Sequence, residues 1–389
     1  MPTQRPPRLE AMFDALFAAH SVSSMIPAFD SSNLAVITLL AEWTADLGFA
    51  VDVQAVDGAP GKYNMVATLG RGAGGLVLAG HTDTVPWDEH GWRHDPLRAT
   101  VDGDRVYGLG AADMKSFFAL VLDALRETRA QDLAAPIVII ATADEESTMS
   151  GARALTAASL HGARHALIGE PTGMRPVRAH KGIMMEALRV TGRPGHSSDP
   201  ALGDNAIEGM HRVLSALMAW RAELQRAHVD PAFRVPFPTM NFGHIHGGDN
   251  PNRICPTCDL QLDLRPLPGM DITALRTELL QRATDAVAGT AFRVEGTALF
   301  GGVPALATAP HAAMVRAAET LTGHAAEAVA FATEAPYLAD LGVETVILGP
   351  GDIAQAHQPD EYLLLDRVAP MQGVVRDLVQ RFCVAPEAA

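Results

Sequence analysis

The stretch Leu76-Val77-Leu78-Ala79-Gly80-His81-Thr82-Asp83 decides the fold of this 389-residue chain. An uninterrupted apolar run ends there in a histidine and an aspartate, and the apolar runs at 137–142 and 166–168 also stop shortly before acidic residues. Helix-like stretches at 116–128 and 151–158 separate these runs. Alternating strands and helices are typical of an α/β fold, so we predict a central, mostly parallel sheet flanked by helices.

Acidic residues and histidines follow the predicted strands, at the positions where a parallel sheet collects ligands. Imidazole and carboxylate groups are common ligands of Zn²⁺ and related divalent ions. Several carboxylates brought together would repel one another unless a cation lay between them. The pattern therefore predicts a hydrolase with a two-metal centre. Its predicted metal ligands are His81, Asp113, Glu146, Glu170 and His357.

A different pattern between residues 179 and 296 predicts an inserted domain that supplies none of these ligands. Its strand-like runs lie at 185–191, 240–246 and 260–265, and its helix-like stretches at 205–225 and 273–287. The earlier alternation then resumes, with elements predicted at 311–321, 345–348 and 368–382. We therefore predict a discontinuous catalytic domain, 1–178 and 297–389, that carries an α+β domain at 179–296.

The composition is that of a globular protein with an ample core, since 48% of the residues are hydrophobic and 19% are charged. A net charge of -15 argues against a surface for nucleic acid or an anionic membrane, because both need clustered lysine and arginine. Three cysteines are too few for a disulfide scaffold. No signal peptide and no apolar run of about 20 residues is visible, so we predict a cytoplasmic protein.

Each candidate ligand has an ordinary explanation when it is considered alone. A histidine at a strand end, such as His81, is more often a hydrogen-bonded core or surface residue. Asp113 could cap the helix that begins after it. The pair Glu145 and Glu146 could begin a helix, where negative charge is favourable. The prediction of a metal centre therefore depends on the occurrence of all these residues together, after runs that should lie side by side.

The chemistry of a two-metal site predicts a role for each ligand. Two cations about 3.5 to 4 Å apart need a bridging carboxylate, and Asp113 is the candidate because it lies centrally in chain order. His81 and Glu170 are predicted to complete the ligands of one ion. Glu146 and His357 are predicted to complete those of the other.

Two further acids are predicted to act beside the ligands. Asp83 lies two residues after His81 and on the same strand face, where its carboxylate can accept the second imidazole N–H and fix the tautomer. Adjacent Glu145 and Glu146 point in different directions from extended backbone, so one can bind metal while the other faces a water molecule. Glu145 is the predicted general base, which takes a proton from that water and passes it to the leaving amine.

These motifs resemble those of the M20 family of di-metal peptidases and deacylases, and the resemblance covers nearly the whole chain. Among the matching segments are His81-Thr82-Asp83-Thr84-Val85-Pro86, Ala111-Ala112-Asp113-Met114-Lys115, Gly169-Glu170-Pro171-Thr172, Gly195-His196-Ser197-Ser198 and Ala356-His357-Gln358-Pro359-Asp360-Glu361-Tyr362. The resemblance implies two Zn²⁺ ions per subunit, which Co²⁺ can replace, and a homodimer formed through the inserted domain, which acts as a lid. It also implies that Asp83 and Glu145 are active-site acids, and that His196 stabilises an oxyanion in the partner subunit's active site.

The resemblance further implies a small-molecule N-acyl amino acid as substrate. We expect Asn252 with Arg253 or Arg265 to bind its carboxylate, because arginine can form two parallel hydrogen bonds to that group. Arg265 could instead be structural. For a substrate with a distal ammonium group, Glu334 is the predicted partner. The alternatives are a desuccinylase, a dipeptidase or carboxypeptidase of the same family, or a metal-binding regulatory protein without turnover, which the complete ligand set disfavours.

Overall fold

The computed structural model describes residues 6–88 and 90–384, so the outer ends of the predicted domains, 1–5 and 385–389, lie outside the described residues. The chain forms two compact units. The first unit comprises Met1–Arg178, Thr308–Glu327 and Thr333–Ala389, and the second comprises Ala179–Ala307 and Ala328–Ala332. The predicted boundary at residue 296 falls within the strand Arg293–Ala298. That strand pairs with Met184–Thr191 of the second unit, and the chain stays in that unit to Ala307.

The strands are β1 (Ala50–Ala55), β2 (Tyr63–Leu69), β3 (Leu76–His81), β4 (Thr100–Asp102), β5 (Arg105–Tyr107), β6 (Ile137–Thr142), β7 (His165–Ile168), β8 (Val177–His180), β9 (Met184–Thr191), β10 (Thr239–Gly247), β11 (Thr257–Arg265), β12 (Arg293–Ala298), β13 (Leu306–Ala307), β14 (Glu327–Val329), β15 (Glu344–Ile347) and β16 (Tyr362–Leu364). The α-helices are α1 (Leu9–Ala18), α2 (Leu34–Asp46), α3 (Lys115–Ala124), α4 (Ser150–Arg153), α5 (Ala206–Ala227), α6 (Ile272–Asp285), α7 (Ala313–Thr322), α8 (Ala335–Asp340) and α9 (Val368–Cys383).

A mixed sheet forms the centre of the first unit, with strands in the order β1-β2-β6-β3-β7-β15. β3 is parallel to both β6 and β7, and β15 is parallel to β7. β1 and β2 are antiparallel additions at one edge. Every residue of β3 and β6 is buried, as expected for central strands of a parallel sheet that is covered on both faces. The predicted α/β class with a mostly parallel central sheet is confirmed.

Helix α3 packs directly against the strand ends that carry the candidate ligands. Its aromatic residues Phe117 and Phe118 are each 1% exposed, and burial of each contributes about 1.5–3 kcal/mol. The ring of Phe117 lies against Gly169, where a Cβ atom would come within 2.1 Å of a ring carbon. Glycine is therefore required immediately before Glu170, because a larger residue would separate the helix from the end of β7.

The secondary structure also differs from the sequence prediction. The stretch 151–158 is not one helix, because α4 ends at Arg153 and Thr156 is extended. Thr156 then begins a separate 3₁₀ turn, Ala157–Leu160, with which it forms a capping box through Ser159. A small antiparallel sheet in the order β16-β5-β4 has no clear signal in the sequence, because strands of three residues are too short to show an alternating pattern.

The second unit contains an antiparallel sheet in the order β10-β11-β9-β12, against which α5 and α6 pack. Buried residues of α5 recur every three or four positions, the spacing that forms one apolar stripe on a helix. They include Met210, Val213, Leu217, Trp220 and Leu224. The side chain of Asn205 caps this helix by accepting a hydrogen bond from the N–H of Ile207. Among the described residues, no helix is long and apolar enough to cross a membrane.

Candidate metal centre

The carboxyl ends of three parallel strands lie together at one edge of the sheet in the first unit. β3 ends at His81, in register with the last residue of β6, and β7 pairs with the other side of β3. Asp113 lies in the loop that leads into α3. The loops that leave β6, β7 and β15 carry, respectively, Glu145 with Glu146, Glu170 and His357.

Asp113 lies between two histidines. Its Oδ1 is 2.9 Å from Nε2 of His81, and its Oδ2 is 3.7 Å from Nε2 of His357. Oε1 of Glu170 is 3.9 Å from the same nitrogen of His81, and Oε1 of Glu146 is 2.9 Å from Nε2 of His357. The two oxygens of one carboxylate therefore face two separate imidazole–carboxylate pairs.

Distances between possible ligand atoms also group these residues in a second way. One atom each from His81, Glu145 and Glu170 lie within 4.8 Å of one another, and so do atoms from His81, Asp113 and Glu146. By this measure Glu145 is close enough to be a ligand, and Glu146 belongs to the same group of possible ligands as His81. The imidazole–carboxylate contacts instead place Glu170 beside His81 and Glu146 beside His357.

The crowding of carboxylates at this buried edge fits a bound cation. Burial raises the pKa of Glu145, Glu146 and Glu170, and repulsion from neighbouring carboxylates raises each further. Oε1 of Glu170 is buried without a hydrogen-bond partner in the part of the chain that the structure describes. A cation would relieve the repulsion and satisfy that oxygen. Imidazole together with carboxylate is a donor set that suits Zn²⁺ or a similar ion.

Both imidazoles carry protons more readily than an ordinary histidine. Burial lowers the pKa of His81, but the hydrogen bond to Asp113 and the charge of Glu170 raise it, and the net result lies well above the usual value. The hydrogen bond to Glu146 raises the pKa of His357 to about 9. A cation at this site would therefore compete with protons for the same nitrogen atoms.

Asp83 is fully buried, but its contacts differ from the predicted ones. Nδ1 of His81 lies 3.0 Å from the main-chain oxygen of Asp83 and 3.7 Å from its carboxylate, so the carbonyl is the acceptor that fixes the imidazole tautomer. The Asp83 carboxylate instead accepts hydrogen bonds from the main-chain N–H groups of Glu145 (3.2 Å) and Glu146 (3.0 Å). Asp83 thereby connects His81 to the loop that carries both glutamates.

Asp144 is a residue of this loop to which the sequence prediction assigned no role. Its φ of 66° places it in the left-handed region. Its carboxylate accepts hydrogen bonds from the hydroxyl groups of Ser23, Ser147, Thr148 and Ser150. Burial raises the pKa of Asp144, but these hydrogen bonds lower it more. The run of serine and threonine after Glu146 was the available signal, because such hydroxyls bond to nearby polar groups at turns.

Glu334 does not occupy the open position expected of a substrate contact. Its side chain is 1% exposed, and its Oε2 accepts a hydrogen bond from the hydroxyl of Thr142. Its Oε1 is buried without a hydrogen-bond partner among the described residues. Burial raises the pKa of Glu334 to about 7. The role of Glu334 in binding a substrate ammonium group stays a prediction, and in this structure its carboxylate is buried against Thr142.

The other predicted site residues lie in the second unit, three of them together on two turns. His196 and Arg253 form a β-bridge, and the N–H of Ser197 donates to the main-chain oxygen of Asn252 at 3.1 Å. Nδ1 of His196 accepts a hydrogen bond from the N–H of Ser198 at 3.2 Å. A neutral His196 therefore carries its proton on Nε2.

The two arginines predicted to bind substrate have different surroundings. Arg253 forms an exposed ion pair with Asp249 on the same turn. Arg265 lies at the far end of β11, with its Nε 2.9 Å from Oδ2 of Asp263. Only Arg253 lies beside Asn252, and Arg265 is engaged within its own strand.

Comparison with known proteins places this geometry in a family. Residues 77–381 match the sequence profile of peptidase family M20/M25/M40. The chain belongs to peptidase family M20. Over 383 residues it is 48% identical to an acetylornithine deacetylase from Edwardsiella ictaluri, covering 98% of this chain and 100% of that one. Over 381 residues it is 46% identical to an acetylornithine deacetylase from Pectobacterium carotovorum, covering 97% and 98%.

The fold is also that of solved M20 structures. An M20 family metallo-carboxypeptidase from Sulfolobus solfataricus superimposes with a TM-score of 0.75 at 17% identity, covering 96% of this chain and 99% of that one. At that identity the similarity concerns the fold alone. The resemblance to the M20 family inferred from the motifs is thus confirmed by sequence and by fold.

Proposed function

We propose that this protein is a metal-dependent deacetylase that hydrolyses N2-acetyl-L-ornithine to L-ornithine and acetate, as in arginine biosynthesis. The observation that carries the chemistry is that the two oxygens of Asp113 face separate imidazoles. The choice of substrate is supported by the similarity of nearly the whole chain to two acetylornithine deacetylases. A cytoplasmic location accords with a substrate that is an intermediate of amino-acid metabolism.

The proposed centre holds two Zn²⁺ ions per subunit, for which Co²⁺ can substitute. We assign His81 and Glu170 to one ion, Glu146 and His357 to the other, and Asp113 to both. The unpartnered oxygen of Glu170 supports this assignment, because a cation would satisfy it. When bound, the two ions lower the pKa of a water molecule and polarise the acyl carbonyl of the substrate.

Glu145 is the proposed general base. The hydrogen bond from its main-chain N–H to Asp83 fixes the start of its side chain, and its carboxylate lies beside His81 and Glu170. It takes a proton from the water molecule as the water oxygen attacks the acyl carbon. It then delivers that proton to the nitrogen of the leaving amine as the carbon–nitrogen bond breaks.

A panel of substrates tests the proposed reaction. Removal of metal with a chelator is expected to abolish acetate release, and Zn²⁺ or Co²⁺ is expected to restore it. Among N-acetylornithine, N-acetylcitrulline, N-acetylmethionine, N-succinyl-diaminopimelate and a dipeptide, kcat/KM is expected to be highest for N-acetylornithine. N-Acetylputrescine, which lacks the α-carboxylate, should be a poor substrate, because Asn252 and Arg253 are proposed to bind that group.

Other results of this panel would identify the alternatives. A higher kcat/KM for N-succinyl-diaminopimelate would make the protein a desuccinylase, and preference for the dipeptide would make it a peptidase. Tight metal binding without turnover of any compound would favour a regulatory protein. Full activity after complete removal of metal would contradict the proposal.

We also propose that the protein is a homodimer formed through the inserted unit, and that His196 of each chain serves the site of its partner. This proposal is supported by the family resemblance and by β10, an edge strand that is exposed at 243–246. Edge strands present unpaired N–H and C=O groups to which another chain can pair. A proton on Nε2 of His196 suits it to donate a hydrogen bond to the oxyanion that forms on the substrate.

Mixed dimers test whether His196 acts across the interface. Glu145→Gln and His196→Ala homodimers are both expected to be nearly inactive. After the two variants are unfolded together and refolded, each mixed dimer should hold one complete site, with Glu145 from one chain and His196 from the other. Recovery of acetate release is therefore expected. No recovery despite mixed dimers shown by mass spectrometry would place His196 in the site of its own chain or outside any site.

A further inference from the structure

Glu361 lies four residues after the proposed ligand His357 and has no part in the reaction described above. Its side chain is only 2% exposed. Its main-chain oxygen accepts the N–H of Gly108 at 3.1 Å, and the residues after it form β16, which pairs with β5. The backbone at Glu361 is therefore held in place by the small three-stranded sheet.

The carboxylate of Glu361 is surrounded by main-chain N–H groups of one short loop. Its Oε1 accepts from Ala112 at 2.7 Å and from Asp113 at 2.9 Å, and its Oε2 accepts from Gly110 at 3.0 Å. Gly110 has a φ of 83°, a left-handed conformation that glycine adopts without strain and that helps this loop to curve. Three main-chain hydrogen bonds to one carboxyl group thus fix the backbone from which the Asp113 side chain projects.

The neighbouring carboxylate shows that this contact is specific to Glu361. Asp360 accepts hydrogen bonds from the main-chain N–H groups of Arg93 (2.9 Å) and His94 (3.0 Å), which belong to a different loop. Asp360 thus holds a different loop, whereas Glu361 accepts hydrogen bonds from the main-chain N–H groups of the loop of Asp113.

We propose that Glu361 is a positioning residue for the proposed two-metal centre, on which this inference depends. It holds the loop of the bridging ligand Asp113 and connects that loop to the segment that supplies His357. Oδ2 of Asp113 and Nε2 of His357 lie 3.7 Å apart, so a small shift of either segment would change the space for an ion. Glu361 touches no reacting atom and acts through Asp113.

The chemistry of the contact requires a carboxylate. Glutamine has nearly the same size, but it has one acceptor oxygen and its amide nitrogen donates hydrogen bonds. In a Glu361→Gln variant at least one of the three main-chain N–H groups would therefore lose its acceptor. The loop of Asp113 would no longer be held in a single conformation.

Metal binding to the Glu361→Gln variant tests the proposal. Metal-free wild type and variant are titrated with Zn²⁺ and with Co²⁺ against a chromophoric chelator. Because Asp113 contacts both proposed ions, both affinities are expected to fall by about 10- to 100-fold. The matched control is Glu186→Gln, since Glu186 is also 2% exposed but pairs with Arg276 in the second unit. The control is expected to bind both ions as the wild type does.

The outcomes separate this inference from the proposed function. Wild type that binds no metal would overturn the proposed metal centre and this inference with it. Wild-type affinity in Glu361→Gln would overturn this inference alone. A Glu361→Asp variant, which keeps a carboxyl group with two acceptor oxygens but has a shorter reach, is expected to bind metal with intermediate affinity. If neither variant folds even with excess metal, Glu361 is a determinant of the fold and the inference is wrong.

Discussion

Replacement of Glu145 with glutamine is expected to lower kcat for acetylornithine by about 10²- to 10⁴-fold, because glutamine cannot accept the proton of the attacking water. The main-chain N–H of residue 145 still bonds to Asp83, so the loop should keep its conformation. KM should change little if Glu145 acts only in the chemical step. Steady-state kinetics with the zinc-loaded variant measures both quantities.

The metal content of the same variant decides between two roles for Glu145. Its carboxylate lies close enough to His81 and Glu170 to be a ligand. If Glu145 is a general base, the Glu145→Gln variant should keep two ions per subunit. If Glu145 is a metal ligand, the variant should lose one of them. Elemental analysis after dialysis gives the ratio. Two retained ions with wild-type kcat would remove Glu145 from both roles.

Replacement of Asp113 with asparagine is expected to abolish activity by weakening both metal sites. Asparagine offers a single carbonyl oxygen without charge, so it cannot bind two ions as the carboxylate does. Affinity for both ions is expected to fall by more than about 100-fold, since loss of a ligand should exceed the effect of losing a partner of a ligand. Elemental analysis and acetate release measure the two effects.

A matched variant sharpens this test. Glu170→Gln is expected to weaken one ion only, because Glu170 is paired with His81 and not with His357. Equal loss of both ions in the two variants would contradict the bridging role of Asp113.

Much of the sheet could be predicted because its central strands β3 and β6 are fully buried and each is a short continuous segment of the sequence. β3 and β6 read as unbroken apolar runs, and the parallel sheet then required their carboxyl ends to lie together. The small sheet that holds Glu361 could not be predicted in the same way. Its strands have three residues each, which is too few to show periodicity. β16 also comes from a part of the chain far from the hairpin of β4 and β5, so neighbouring sequence does not indicate that it joins them.

Two acids of the site show what the sequence alone does not reveal. The sequence places Asp83 on the same strand face as His81, but it does not reveal that the main-chain carbonyl is the closer acceptor for the imidazole. It shows an acid at Glu334, but not that the carboxylate is buried against Thr142. In both cases the residue type was informative, whereas its partner depended on how separate loops pack.

Local patterns in the chain were sufficient to predict the candidate ligands, because apolar runs and the polar residues that end them are adjacent in sequence. Contacts between residues far apart in the sequence determine which atoms of these side chains face one another. The hydrogen bond from Gly110 to Glu361 joins positions 251 residues apart, and that from Thr142 to Glu334 joins positions 192 apart. The atoms that face each other across such separations depend on strand order and loop packing, which arise only when the whole chain has folded.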